Sequence, residues 1–288
     1  MANLRRALEL SWAEKKAALE WRMERWSSKR RRRLPRRINR DRLRHCGRLW
    51  LARQRARDLY RNAEPLISVL IPTYNRAELL VSRSVASVQR QTYPHFEIVI
   101  VGDACTDNTE ALLREVGDPR IRFHNLPVRG KYPEDPYLRW LVAGSAPGNQ
   151  AVGMARGRWI AWLDDDDEFS SDHLEILLSS CLANRLEFAY GVMAMEVKPG
   201  AWEPVGSYPP ECGRICNAAV LYGAHLSFFR YDLEAWRLDE PNDWNLWKRM
   251  WGAGVRMGFV DRIIGKHFLE HRPKETAVRA GAMRRAAR

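Results

Sequence analysis

Four consecutive aspartates, Asp164 to Asp167, end a short apolar run in the stretch GRWIAWLDDDDE, residues 157–168. Adjacent carboxylates repel by about 1 kcal/mol per pair at about 4 Å even in water, and by more in a cleft. Such a cluster calls for a cation. Hard divalent ions such as Mg2+ and Mn2+ take oxygen ligands and bridge to substrate phosphates. The run before the quartet, Trp159 to Leu163, mixes aromatic and aliphatic side chains and is too short for a sound helix. It reads as a buried strand. A buried strand that runs into carboxylates delivers them at its carboxyl end, where open α/β sheets bind ligands. The competing reading is a solvated acidic turn that caps the next helix.

The elements around the quartet repeat one pattern. Residues 66–71 are a continuous apolar, β-branched run, as a buried parallel strand requires, and Pro72 and Asn75 mark the turn after it. Leu80, Val81, Val85 and Val88 then recur at helical spacing within residues 77–91. A second strand is expected at 96–101, with Asp103 just past its tip and a helix opened by Thr106 or Asp107. A third strand is expected at 120–125, and a helix over 136–156 broken at Gly144, Pro147 and Gly148. Alternating strands and helices imply a mainly parallel sheet flanked by helices. Beyond the quartet a helix over 171–184 is expected. One or two strands over 186–197, a loop over 199–214 and an apolar segment at 218–229 follow. The chain then offers a short Trp-rich helix opened by Asn242 or Asp243, and two late strands at 255–260 and 263–269.

The 288 residues suffice for a sizeable core. The net charge of +13 is uneven: residues 1–64 hold 21 Lys and Arg against 7 Asp and Glu, and the remainder holds 27 against 28. The body is therefore close to neutral. Residues 3–27 place Leu4, Leu8, Trp12, Leu19, Met23 and Trp26 on one helical stripe opposite a basic face. Pro35 is expected to end any helix there, and residues 43–60 to form a second one. This extension could lie on an anionic membrane surface through residues 1–60, pack on the body or a partner, or bind nucleic acid, the least favoured of the three. Five scattered cysteines, without a second pair to complete a zinc site, read as free thiols of a reducing compartment. The N-terminus is charged and no apolar window spans a membrane, so a cytoplasmic location, peripheral on the inner membrane face, is expected. The expected organisation is an extension at 1–64, a body at 65–273 and a basic tail at 274–288.

Four segments together resemble the family-2 glycosyltransferases of the GT-A fold: SVLIPTYNR at 68–76, VIVGDACTDNT at 99–109, NQAVGMARGRWIAWLDDDDEF at 149–169 and EPNDWNLWKRMWGAG at 240–254. The resemblance covers about residues 66–271. It implies a nucleotide-sugar donor, UDP-sugar favoured, bound with a divalent cation. Tyr74 would stack on the base beside Pro72, Asp103 would contact the base edge, and Asp164 or Asp165 would face the ribose. Asp166 would hold the metal, with His267 (or His271) completing its shell. Asp243 would be the general base. Three positions depart from the family: Gly102 replaces its first loop aspartate, Asn242 its usual Glu, and Gly148 an Arg before Asn149. Phosphate contact would then fall to Arg139 or Arg129.

The implied chemistry is coherent. Transfer of a sugar breaks a bond to an anionic diphosphate, whose growing charge a divalent ion neutralises, while a carboxylate on the opposite face takes the acceptor's proton. One displacement inverts the anomeric centre. The acceptor would be a glycan or lipid-linked hydroxyl of surface polysaccharide or glycoconjugate synthesis. Two other functions fit the motifs. One is an inactive nucleotide-sugar-binding scaffold, which Gly102 and Asn242 would suit. The other is a nucleotidyltransferase, although PTYNRAELL lacks the Gly-rich phosphate loop it would need. Residue by residue, Tyr74 could instead be packing, Asp103 and Asp243 helix caps, and His267 a core residue.

Overall fold

A computed structural model describes residues 34–268. The expected helix at 3–27, the tail at 274–288 and His271 lie outside the described residues. The chain divides into two compact units, Met1–Gly47 and Arg48–Arg288. Helix α1, Leu34–Arg55, crosses that division. Pro35 does not stop it and lies within the described helix.

The second unit is built on one nine-stranded sheet. Its strands are β1 (Ile67–Thr73), β2 (Phe96–Gly102), β3 (Ile121–Asn125), β4 (Trp159–Trp162), β5 (Glu168–Phe169), β6 (Phe188–Lys198), β7 (Ala201–Val205), β8 (Val220–Gly223) and β9 (Met257–His267). The spatial order is β3-β2-β1-β4-β8-β6-β9-β5, with β7 on β6. The first four strands are parallel, in register from Ile67↔Phe96 to Thr73↔Gly102. Beyond β4 the sheet is mixed: β8 runs antiparallel to β4 and β6, while β9 runs parallel to β6. β1, β2 and β4 are buried almost throughout, which is why they read as unbroken apolar runs. Alternate residues along them, Ile67, Val69 and Ile71 with Ile98, Ile100 and Ala161, pack in one core with Leu80, Val85, Leu174 and Leu177.

Helix α2 spans 77–89 and is π-type over Leu80–Val85. Then come α3 (Thr109–Val116), α4 (Pro136–Trp140), α5 (Ser145–Met154), α6 (His173–Asn184) and α7 (Asn242–Gly252). The break between α4 and α5 falls earlier than expected. Gly144, at φ 75°, provides the left-handed residue that starts α5, and Pro147 and Gly148 lie inside its first turns. The two expected late strands are one, β9, because β6 pairs along its length from Met257 to His267. The loop at 199–214 contains the short hairpin strand β7.

The last turns of α1 belong to the body. Leu49 is 1% exposed, and Arg53 donates two hydrogen bonds to the buried carboxylate of Glu187, at 2.8 and 2.6 Å. No described helix is long and apolar enough to cross a membrane.

Candidate active site

The parallel strands β1, β2 and β4 end at one edge, and their end loops line a cleft of about 460 Å³. Pro72 and Tyr74 from β1, Asp103 from β2, Asp164, Asp165 and Asp166 from β4, Asp243 from α7 and His267 from β9 all line it. Arg139 does not: its guanidinium donates to the backbone carbonyls of Pro133 and Glu134. Arg129 and Arg76 are the cleft's arginines.

The loops after β1 and β2 are stitched together. The Asn75 side chain accepts from Thr106 N at 2.8 Å and donates to Thr106 Oγ1, and Asp107 accepts from Ala77 N. Asp103 is 3% exposed and accepts from Gly130 N at 2.8 Å. This fixes the loop that carries Arg129, whose guanidinium lies 3.6 Å over the Tyr74 ring. Gly102 has a steric cause. A Cβ there would lie 2.5 Å from Asn125 Oδ1, and the Asn125 amide braces both the N–H and the carbonyl of Cys105. At Gly148 a Cβ would meet the Tyr231 ring at 2.9 Å, so no larger residue fits the packed start of α5.

The π turn of α2 holds the acidic loop. Ser84 Oγ lies 3.0 Å from the carbonyls of both Asp164 and Asp167, and Arg83 donates to the Asp166 carbonyl. With Asp167 N donating back to Asp164 O at 3.2 Å, the loop closes into a turn that sends its carboxylates in different directions. Asp165 accepts from Thr73 Oγ1 at 2.7 Å and from Arg76 at 2.9 Å. Asp166 shares that Arg76 at 2.8 Å. Asp164 accepts from Asn217 Nδ2, which Tyr231 holds through its own hydroxyl. Asp167 is fully buried and accepts from His267 Nδ1 at 2.7 Å. Nδ1 therefore carries the proton, and Nε2 is the ring's ligand atom.

Ligand atoms of Asp164, Asp167 and His267 converge within 4.8 Å of one another. The expected metal residues thus divide: His267 joins this group, whereas Asp166 is drawn to Arg76. Two carboxylates and an imidazole are a donor set that suits Mn2+ or Mg2+. The carboxyls of Asp164 and Asp166 are both pushed well above the usual range, first by burial and then by neighbouring aspartates, as expected of a cluster short of positive charge.

Asp243 is in the first turn of α7. Its Oδ1 accepts from Trp244 N at 2.6 Å, and burial pushes its carboxyl up to about 6. It does not cap the helix, which starts at Pro241 without a side-chain cap, while Asn242 ties α7 to α5 through Ser145 Oγ at 2.8 Å. The sequence reading left Arg76, Asn217, Tyr231 and Asp167 without roles. The Asn75-Arg76 pair inside the first motif was a usable signal for Arg76. Asn217 and Tyr231 reach the quartet from far along the chain and had none.

The sequence profile of Glycosyl transferase family 2 matches residues 68–133 and 145–206. The UDP-Glc:alpha-D-GlcNAc-diphosphoundecaprenol beta-1,3-glucosyltransferase WfgD of Escherichia coli is 36% identical over 126 residues, 44% of this chain and 45% of that protein. The putative teichuronic acid biosynthesis glycosyltransferase TuaG of Bacillus subtilis is 32% identical over 141 residues, 48% of this chain and 52% of that protein. The chain thus spans about half the length of the curated relatives it matches. Among solved structures, S. aureus TarS in complex with UDP-GlcNAc gives a TM-score of 0.57 at 17% identity, over 74% of this chain and 60% of that one. The mannosyltransferase PcManGT from Pyrobaculum calidifontis, in complex with GDP-Man and Mn2+, gives 0.56 at 17% identity, over 84% and 69%. At such identities the structural likeness speaks for the fold, and that fold is GT-A. The motifs, the strand order and these matches lead to one conclusion: the chain carries a family-2 glycosyltransferase domain on a GT-A fold.

Proposed function

We propose that the protein is an inverting glycosyltransferase that moves a sugar from a nucleoside-diphosphate donor, UDP-sugar favoured, to an acceptor hydroxyl of a surface glycan or lipid-linked saccharide. The observation that carries this reading is a single cleft lined both by a metal-suited acidic group and by a separate carboxylate, Asp243, raised to about 6. The printed descriptions of WfgD (a UDP-Glc donor and a diphosphoundecaprenol acceptor) and of TarS with UDP-GlcNAc support the donor and acceptor classes.

In this reading Tyr74 and Arg129 hold the base, Asp103 fixes the Arg129 loop, and Asp165 keeps the β1 loop in place through Thr73. Asp164, Asp167 and His267 would hold a divalent cation, which supplies positive charge to the departing diphosphate. Asp243 takes the acceptor's proton. The acceptor oxygen then bonds to the anomeric carbon as the bond to the diphosphate breaks on the opposite face. A screen of UDP-, GDP- and dTDP-sugars by nucleoside-diphosphate release, with and without Mn2+, tests the reading. Release from at least one donor, dependent on Mn2+, is expected, and no release from any donor contradicts it.

We further propose a peripheral membrane site on α1. Trp50 and Leu51 are 60% and 51% exposed, beside the exposed Arg48 and Arg55. Each arginine near an anionic surface contributes about 1 kcal/mol, screened by salt. Co-sedimentation with anionic but not neutral vesicles is expected, lost at high salt and reduced at least about tenfold in Trp50→Glu. Deleting residues 1–60 would also remove Leu49 and Arg53, which are anchored in the body. Equal binding to neutral vesicles would refute membrane docking by charge.

A further inference from the structure

Helix α7 begins in the cleft, where Asn242, Asp243 and Trp244 are lining residues. Positions i, i+4 and i+7 stack along one side of an α-helix, so Trp244, Lys248 and Trp251 form one stripe, running about 10 Å away from the catalytic end. The third tryptophan, Trp247, faces the core and packs against Phe188 and Tyr222. The helix thus keeps Trp247 inside, sets a half-buried Trp244 against the cleft and turns Trp251 outward.

At the far end of the stripe Trp251 is 39% exposed and meets the 57%-exposed Tyr208 edge to face, at 6.0 Å between centroids. Between the indoles Lys248 pairs with Glu240, whose second oxygen accepts from Asn245 at 3.0 Å. Adjoining exposed aromatics with charged donors and acceptors between them mark a binding surface, not a core remnant. Their chemistry matches one ligand class. A pyranose ring presents an apolar C–H face and a rim of hydroxyls: the indoles suit the first, and the ammonium and carboxylate suit the second. Continuity with Asp243 says which sugars these would be.

We infer that the α7 stripe is an acceptor subsite for an extended oligosaccharide, holding the sugars behind the reacting hydroxyl. The inference rests on the glycosyltransferase reading above. It is tested on an array of bacterial surface oligosaccharides probed with the full chain, with UDP and Mn2+ titrated in parallel. Retention of one or more glycans is expected, weakened about tenfold or more in Trp251→Ala/Tyr208→Ala and largely restored in Trp251→Phe. The UDP titration reports whether each variant is folded. If the double variant is not, Lys248→Gln decides, with weakened retention expected. Unchanged retention in the folded variants, or no glycan retained by the wild type, overturns the subsite. Glycan retained through Trp251 by a protein that takes no nucleotide would instead leave the subsite standing and sink the donor chemistry.

Discussion

Asp243→Asn lowers turnover by about 10²- to 10⁴-fold, the range a positioned general base contributes, while donor affinity stays within about twofold. The amide is nearly isosteric and still accepts from Trp244 N, so α7 keeps its start. What it loses is the ability to take a proton. Burial holds the wild-type carboxyl at about 6, above its ordinary 3.8, so the proton stays on to a higher pH. The ionised, active form therefore disappears as pH falls through about 6, and acceptor kcat/KM falls with it. A pH–rate series on both proteins checks this: the wild type shows that acid limb, and the variant is slow at every pH. Undiminished turnover in Asp243→Asn would leave Asp243 only its backbone contact at the start of α7.

The second large effect is at the acidic group. Asp164→Asn removes one of the converging ligands and is expected to abolish the Mn2+-dependent part of UDP binding, leaving the metal-independent part in place. Asp167→Asn removes a second carboxylate of the group and also acts through His267. It loosens the imidazole that Asp167 holds at 2.7 Å, and carboxylate partners of this kind are worth about 10- to 100-fold in metal affinity. Calorimetric titration of UDP with and without Mn2+ separates the two. If Asp166→Asn abolishes the metal-dependent part while Asp164→Asn keeps it, the ion lies on the Arg76 side of the quartet.

The buried parallel strands were legible because burial on both faces leaves only apolar residues, as in ISVLI and FEIVIV. The quartet was legible because four adjacent like charges at a strand tip repel one another and call for a counter-charge. What escaped depends on contacts distant in sequence. Which aspartate faces which way follows from a turn gripped by Ser84 and from Asn217, 53 residues further on. Arg129 rather than Arg139 reaches the cleft because Asp103 anchors Gly130, a bond no local pattern encodes. Gly102 departs from the family's loop aspartate because the space a side chain would need is already filled by Asn125.

On the proposed mechanism, with the acidic group holding the ion and Asp243 taking the acceptor's proton, transfer is a single in-line displacement. The direct measurement is the anomeric configuration of the product, read by NMR from the donor that gives the highest release. From an α-linked nucleotide sugar the account predicts a β-linked product alone; an α-linked product would contradict it.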